Sequence, residues 1–221
     1  MVPLKVDLHT HTRFSFDSWI SPRRYVERAA AAGMGATAVT DHDTIEGALR
    51  VRDLDPPFRL IVGEEILTRE GEIIGLFLRE AVPGRLPVEE TCDRVHAQGG
   101  LVMVSHPFCR TALDRLSAEG RERILGRLDI VEVINARNPS AASDREADRW
   151  ARAIDAAPAA NSDAHTPREL GRAYQFARPF DGPRDFLVAL RDGAPRLERR
   201  TFIGLSLLAA LHGLIRTGRL G

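Results

Sequence analysis

Imidazole and carboxylate side chains recur in short clusters along this chain of 221 residues: Asp7-Leu8-His9-Thr10-His11, Asp41-His42-Asp43, Gly63-Glu64-Glu65, Ser105-His106-Pro107 and Asp163-Ala164-His165. These groups are the usual ligands of zinc, manganese or iron, whereas thiolate is scarce, with Cys92 and Cys109 the only cysteines. His9 and His11 are two residues apart, so on an extended strand both rings point to one side and can hold one ion; Asp163 and His165 repeat the spacing. A single histidine at a strand end is ordinarily just hydrogen-bonded. Five of the seven histidines lie beside carboxylates at such positions, and burying that many ionisable groups together is costly unless a cation compensates. His96 and His212 read instead as surface or packing positions.

Apolar, β-branched runs alternate with stretches of helical period, which predicts parallel strands joined by helices in a single domain. The predicted strands are Leu4–Leu8, Ala36–Thr40, Leu60–Glu64, Leu101–Ser105, Ile130–Ile134 and Ala159–Ser162, with Ile73–Leu78 pairing across a Glu70-Gly71 turn. The predicted helices are Pro22–Ala32, capped by Ser21, then Thr44–Arg52, Pro87–Gln98, Ala118–Gly126, Ser143–Asp155 and Arg184–Arg191. Gly33, Gly35, Gly99 and Gly100 fall between helix ends and strand starts and read as caps and tight turns. The clusters lie at the C-terminal ends of the strands, which share one face in a barrel or open α/β sheet, so the reactive groups converge there.

Thirty-one basic residues balance thirty-one acidic ones, so no global field attracts nucleic acid or an anionic membrane, and an anionic substrate must be captured locally. The start of the chain lacks an apolar signal region and the cysteines are few, which predicts a cytoplasmic protein. The most apolar stretch, Phe202–Ile215, is too short to span a membrane. Its Leu205, Leu208, Leu211 and Ile215 predict an amphipathic helix in a tail of residues 201–221, packed on the domain of residues 1–200 or on a second subunit of a homodimer.

The ordered motifs Asp7-Leu8-His9-Thr10-His11 with Ser15-Phe16-Asp17, Thr40-Asp41-His42-Asp43-Thr44, Gly63-Glu64-Glu65-Ile66, Ser105-His106-Pro107 and Ser162-Asp163-Ala164-His165 resemble the PHP (polymerase and histidinol phosphatase) domain family over residues 5–172. The resemblance is greatest to its stand-alone phosphoesterase members. It implies an α/β fold, a distorted (β/α)7 TIM-like barrel, with two or three divalent ions (Mn2+, Zn2+ or Fe2+) at the C-terminal face of the strands. By that resemblance His9, His11, Glu65 and Asp163 hold the first ion. Glu65 bridges to a second, which His106 also binds, and Asp17, His42 and His165 hold the third; Glu64 points away. Many relatives carry a further histidine ligand after the fifth strand, where this chain reads Glu132-Val133-Ile134-Asn135-Ala136-Arg137-Asn138. Asn135, Asn138 or water then fills that place, and the second ion is held more weakly.

Two or three such ions ionise a bridging water near neutral pH, which predicts hydrolysis of a phosphate ester by a metal-bridging hydroxide, steered by Asp163 or His42. The expected substrate is a small phosphomonoester, a nucleotide or the end of a short oligonucleotide. Arg110, Arg137 and Arg172 follow the metal motifs and are the candidate phosphate forks. Cys109 reads as a buried free thiol. Two other classes compete: a metal-dependent amidohydrolase or deaminase, whose barrel also opens with His-x-His but uses a lysine between the metals, and a metal-binding interaction domain with little turnover. Lys5, the only lysine, stands at the wrong end of its strand for the former.

Overall fold

A computed structural model describes residues 2–201 of the chain. The predicted tail helix lies outside the described residues. Among these residues, no helix is long and apolar enough to cross a membrane.

The elements run β1 (Leu4–Asp7), α1 (Pro22–Ala31), β2 (Ala36–Val39), α2 (Glu46–Arg52), β3 (Arg59–Leu67), β4 (Glu72–Leu76), α3 (Val88–Ala97), β5 (Leu101–Val104), α4 (Ala118–Arg123), β6 (Ile130–Asn135), α5 (Ala141–Ala153), β7 (Ala157–Asn161), β8 (Ala173–Ala177), α6 (Gly182–Arg191) and β9 (Pro195–Leu197). The sheet order is β7-β6-β5-β4-β3-β2-β1-β8-β9. Strands β1, β2 and β3 pair in parallel, as do β5, β6 and β7, while β4 runs antiparallel to both its neighbours.

The residues that follow β1 and β7 close the sheet into a barrel. Thr10 and Ala164 form a parallel bridge, with His11 N donating to Ala164 O and Asp163 N to His9 O, both at 2.9 Å. At its other end β1 pairs antiparallel with β8, Val6 opposite Gln175. The result is a distorted TIM-like barrel, closed at the rim where the parallel strands end and splayed at the opposite rim by β8 and β9.

Alternation along the strands decides the layers. Leu101 and Met103 of β5 join Val6, Ile61, Ile74 and Ile130 inside the barrel, and Phe186 and Leu190 of α6 pack against this core. Val102 and Val104 point outward, onto Val88, Cys92 and Val95 of α3. Helix α1 begins as expected: Ser21 Oγ accepts from Arg24 N at 3.3 Å and Pro22 takes the first turn. Gly33, at φ +71, ends it in the left-handed region. The helix expected at Ala118–Gly126 stops at Arg123 and gives way to a 3-10 turn over Leu125–Arg127. The short strands β8 and β9 were not anticipated, because Ala173–Ala177 and Pro195–Leu197 carry too few residues to declare a period.

Candidate metal centre

The stretch after β1 is fixed by two buried carboxylates that accept hydrogen bonds from backbone and hydroxyl groups. Asp7 accepts from Ser162 Oγ at 2.5 Å and Ser162 N at 3.1 Å, which ties the His9 segment to the end of β7. Asp41 accepts from Thr12 N and Oγ1 at 2.7 and 2.6 Å and from Ser15 N and Oγ at 3.1 and 2.7 Å, folding the loop that carries Asp17. Gly47 must be glycine here, since a Cβ would stand 1.9 Å from Asp41 Oδ2. Burial pushes the Asp7 carboxyl up to about 7 and raises that of Asp41.

These supports place His9, His11, Asp17, His42, Glu65, His106, Asp163 and His165 around one cavity floor. Glu65 Oε2 lies 3.2 Å from His9 Nε2, 3.4 Å from His11 Nε2 and 3.4 Å from His42 Nδ1, while its Oε1 lies 3.5 Å from His106 Nε2. Asp163 Oδ1 is 3.6 Å from His9 Nε2 and 3.5 Å from His11 Nε2. Asp17 spans His42 Nε2 at 3.6 Å and His165 Nε2 at 2.9 Å. His106 and Asp163 adopt positive φ angles of 30° and 52°, strain of the kind that persists at functional sites. Glu64 does point the other way, accepting from Val82 N at 2.8 Å.

The tautomers can be read from the outer contacts. His165 Nδ1 donates to Asp163 O at 3.0 Å. Ser15 Oγ spends its proton on Asp41, so His11 Nδ1, 3.0 Å away, donates to it. His9 Nδ1 faces Glu132 Oε1 at 3.0 Å. All three rings therefore present Nε2 to the cavity, the arrangement by which an outer hydrogen bond orients a metal-ligating histidine. His11 Nε2, Asp17 Oδ1, Glu65 Oε1 and His106 Nδ1 are buried without a hydrogen-bond partner. Four triads, His9-His11-Asp163, His9-Glu65-His106, His11-His42-His165 and His42-Glu65-Glu72, each bring one donor atom per residue within 4.8 Å of the others. Buried orphan donors grouped in this way fit divalent cations.

The protonation states show the same tension. Burial disfavours a charged His9 ring, yet Glu65, Asp163 and Glu132 hold its pKa well above the ordinary value. Burial and the neighbouring His165 push His11 down to about 3. Burial opposes ionisation of Glu65 and Asp163, but the adjacent rings, His9 foremost, keep both carboxyls below their usual range.

Two side chains that the sequence did not single out belong to this floor. Glu132 receives His9 Nδ1, Asn161 Nδ2 at 2.9 Å, Asn135 Nδ2 at 2.9 Å and His106 N at 2.6 Å. Its signal was a carboxylate inside the otherwise apolar run Ile130–Ile134; it is the third residue of β6, beside the register shift between Glu132 and Ile134. Glu72 Oε1 lies 3.3 Å from His42 Nδ1. Strand β4 is reversed, so its first residue, and not its last, reaches the rim that carries the other donors; a rule confined to C-terminal strand ends misses it. Asn135 and Asn138 do not offer free amide oxygens: Asn135 Oδ1 accepts from Arg137 N at 2.8 Å and Asn138 Oδ1 from Ser140 N at 3.1 Å.

Of the candidate arginines, the structure brings Arg137 to the cavity, a cleft of about 410 Å3 above the donors. Its Nη1 is buried without a hydrogen-bond partner. Arg110 is exposed and does not line the cleft. Arg172 is committed elsewhere, with Nε donating to Arg168 O at 3.1 Å and Nη1 to Arg200 O at 3.5 Å. Cys109 is a buried free thiol, 3.2 Å from Thr111 Oγ1. His96 pairs with Asp129 at 2.9 Å, remote from the cleft; His212 lies outside the described residues.

Comparison with known proteins agrees with the motifs. The PHP domain profile matches residues 7–66 and the PHP-associated profile residues 142–195. An uncharacterized protein of Methanocaldococcus jannaschii is 38% identical over 148 residues, covering 60% of this chain and 82% of that one. A two-domain protein from Bacteroides vulgatus containing a predicted PHP-like metal-dependent phosphoesterase is similar in structure, with a TM-score of 0.69 at 20% identity over 96% of this chain and 70% of that one. The lesion-specific endonuclease Q of Pyrococcus furiosus is similar with a TM-score of 0.59 at 14% identity, over 89% of this chain and 58% of that one. Ordered donor motifs within the matched segments, and a relative this similar over most of its own length, make the chain a member of the PHP domain family.

Proposed function

We propose that this protein is a metal-dependent hydrolase of phosphate esters. The observation that carries the reading is Arg137, which lines the same cleft as the metal donors and whose buried Nη1 has no hydrogen-bond partner. Asp17, Glu65, Glu72 and Asp163 carry four negative charges when ionised, which two divalent ions balance, and Arg137 then makes the cleft attractive to an anion. Bound ions would supply Lewis acidity and lower the pKa of water. Manganese, zinc and iron all suit this donor set, and two or three ions are the expected complement.

The chain's own residues do the rest. His9, His11 and His165 are oriented in advance by Glu132, Ser15 and Asp163, so the reacting groups meet a fixed frame. Arg137 holds a phosphoryl oxygen through its planar fork. Asp163 and His42 stand beside the floor to direct the attacking water.

The amidohydrolase alternative lacks its lysine at the site, because Lys5 Nζ lies over the Tyr174 ring at 4.6 Å, at the opposite end of the barrel. Small monoesters, nucleotides and oligonucleotide ends are the substrates of the proposed reaction; endonuclease Q, of similar fold, holds a 27-mer duplex substrate with an abasic lesion at its active site.

The test is hydrolysis of p-nitrophenyl phosphate and bis(p-nitrophenyl) phosphate by Mn2+-loaded protein. His9→Ala and Asp163→Ala should abolish release of nitrophenol, and Arg137→Ala should lower kcat/KM about 10- to 100-fold. A protein that binds manganese and cleaves neither ester, but releases ammonia from an amide or aminopurine, belongs to the competing class.

A further inference from the structure

The polar floor explains how a phosphate is held, but not two apolar side chains at its edge. Phe16 is 47% exposed and Leu113 93% exposed, and both line the cleft. Single exposed apolar residues are ordinary on a protein surface. These two share one concave site with the metal donors, and the Phe16 ring stacks on His42 with centroids 5.0 Å apart and planes at 27°.

The backbone that carries each is braced at the base of its loop. The Phe16 loop is tied down by Asp41 and by Ser18 Oγ, which donates to His165 O at 3.1 Å. The loop of residues 107–116 is braced by Arg121, which donates to Pro107 O at 3.0 Å and Leu116 O at 2.7 Å, and by Glu72 N donating to Asp114 O at 2.7 Å. Leu113 projects from this braced loop. An aromatic face and an aliphatic side chain presented on braced loops beside an anion site match a planar ring, which stacks on the one and packs against the other.

We propose that Phe16 and Leu113 clamp a planar ring joined to the scissile phosphate, so that the preferred substrates are nucleoside phosphates, free or at a strand end, and not aliphatic phosphates. This inference rests on the phosphoesterase reading. It concerns the leaving side of the substrate, whereas the metal floor and Arg137 hold the phosphoryl group.

Isothermal titration with adenosine 5′-phosphorothioate, the dinucleotide pTpT bearing phosphorothioates at its 5′ end and its linkage, glycerol 3-phosphorothioate and orthophosphate tests it with hydrolysis suppressed. Phe16→Ala should weaken the adenosine ligand about 5- to 100-fold and shift orthophosphate by less than about twofold, with Phe16→Trp restoring affinity. Leu113→Ala should give a smaller loss of the same selectivity. Tighter binding of pTpT than of the mononucleotide assigns a strand end; equal binding assigns a free nucleotide. Equal affinity of the wild type for adenosine and glycerol ligands overturns the clamp, as does an equal loss of all four ligands in Phe16→Ala. Phe16-dependent nucleotide binding without cleavage of any ester sinks the hydrolase reading and leaves the clamp standing.

Discussion

Glu132 stands behind His9, its Oε1 3.0 Å from Nδ1, on the ring edge opposite the nitrogen that faces Glu65. The carboxylate also gathers Asn161, Asn135 and the His106 backbone, so one side chain sets the pose of two candidate metal ligands.

Replacement of Glu132 by Gln keeps the shape but removes the charge that orients the His9 ring. Metal affinity should fall about 10- to 100-fold, as for other outer partners of ligating histidines, while the far-ultraviolet circular dichroism is retained. Calorimetric titration with Mn2+ checks it; unchanged affinity would show that Glu132 serves packing alone.

Glu72 should count among the ligands. Its carboxyl is raised by burial and by the nearby Glu65, a pair of like charges that a shared cation would relieve. Glu72→Gln should reduce the number of ions retained per chain in elemental analysis, with the remainder held at wild-type affinity. Full retention would place Glu72 outside the ion cluster.

Removal of the ions should destabilise the fold, because cations bind only the assembled donors. At a free concentration about 100 times Kd the stabilisation is about 2.7 kcal/mol. For a domain of this size that corresponds to roughly 5 to 10 °C in Tm. Thermal unfolding before and after chelation reads the difference, and identical curves would contradict buried ion binding.

The surface pair His96–Asp129 gives a pH dependence independent of the metal centre. The hydrogen bond that the His96 ring donates to Asp129 raises the His96 pKa against partial desolvation, with Asp93 reinforcing the charge and Arg127 opposing it. A raised histidine pKa stabilises fully below the unfolded value and is lost as pH climbs through the folded value. His96→Gln should therefore cost about 0.2 to 1 kcal/mol below about pH 6 and nothing above about pH 9. Urea titrations at the two pH values measure it; a gap that widens with pH would reverse the assignment.

Much of the site was legible because its chemistry is local. Two-residue spacing puts His9 with His11, and strand ends carry His42, Glu65, His106 and Asp163 to one rim of a parallel barrel. The choice of Glu65 over Glu64 came from the resemblance to the family motif, in which the ligand precedes the apolar Ile66; alternation along β3 then turns Glu64 to the other face, and the barrel's layers follow the same period.

Other features depended on contacts between segments far apart in the chain. Glu72 reaches the floor because β4 runs against its neighbours; the Glu70-Gly71 turn announced that pairing, but the expected strand began at Ile73 and left Glu72 out. Glu132 acquires its role by meeting His9, 123 residues away, and Arg137 faces the cleft while Arg172 turns to the backbone of Arg168 and Arg200. The types of donor and the face each occupies on its strand were set by the order of residues, since backbone geometry repeats every two positions. Which carboxylate stands behind the donors, which stands among them and which arginine lines the cleft were decided only on barrel closure, because those choices depend on strand pairing and loop path.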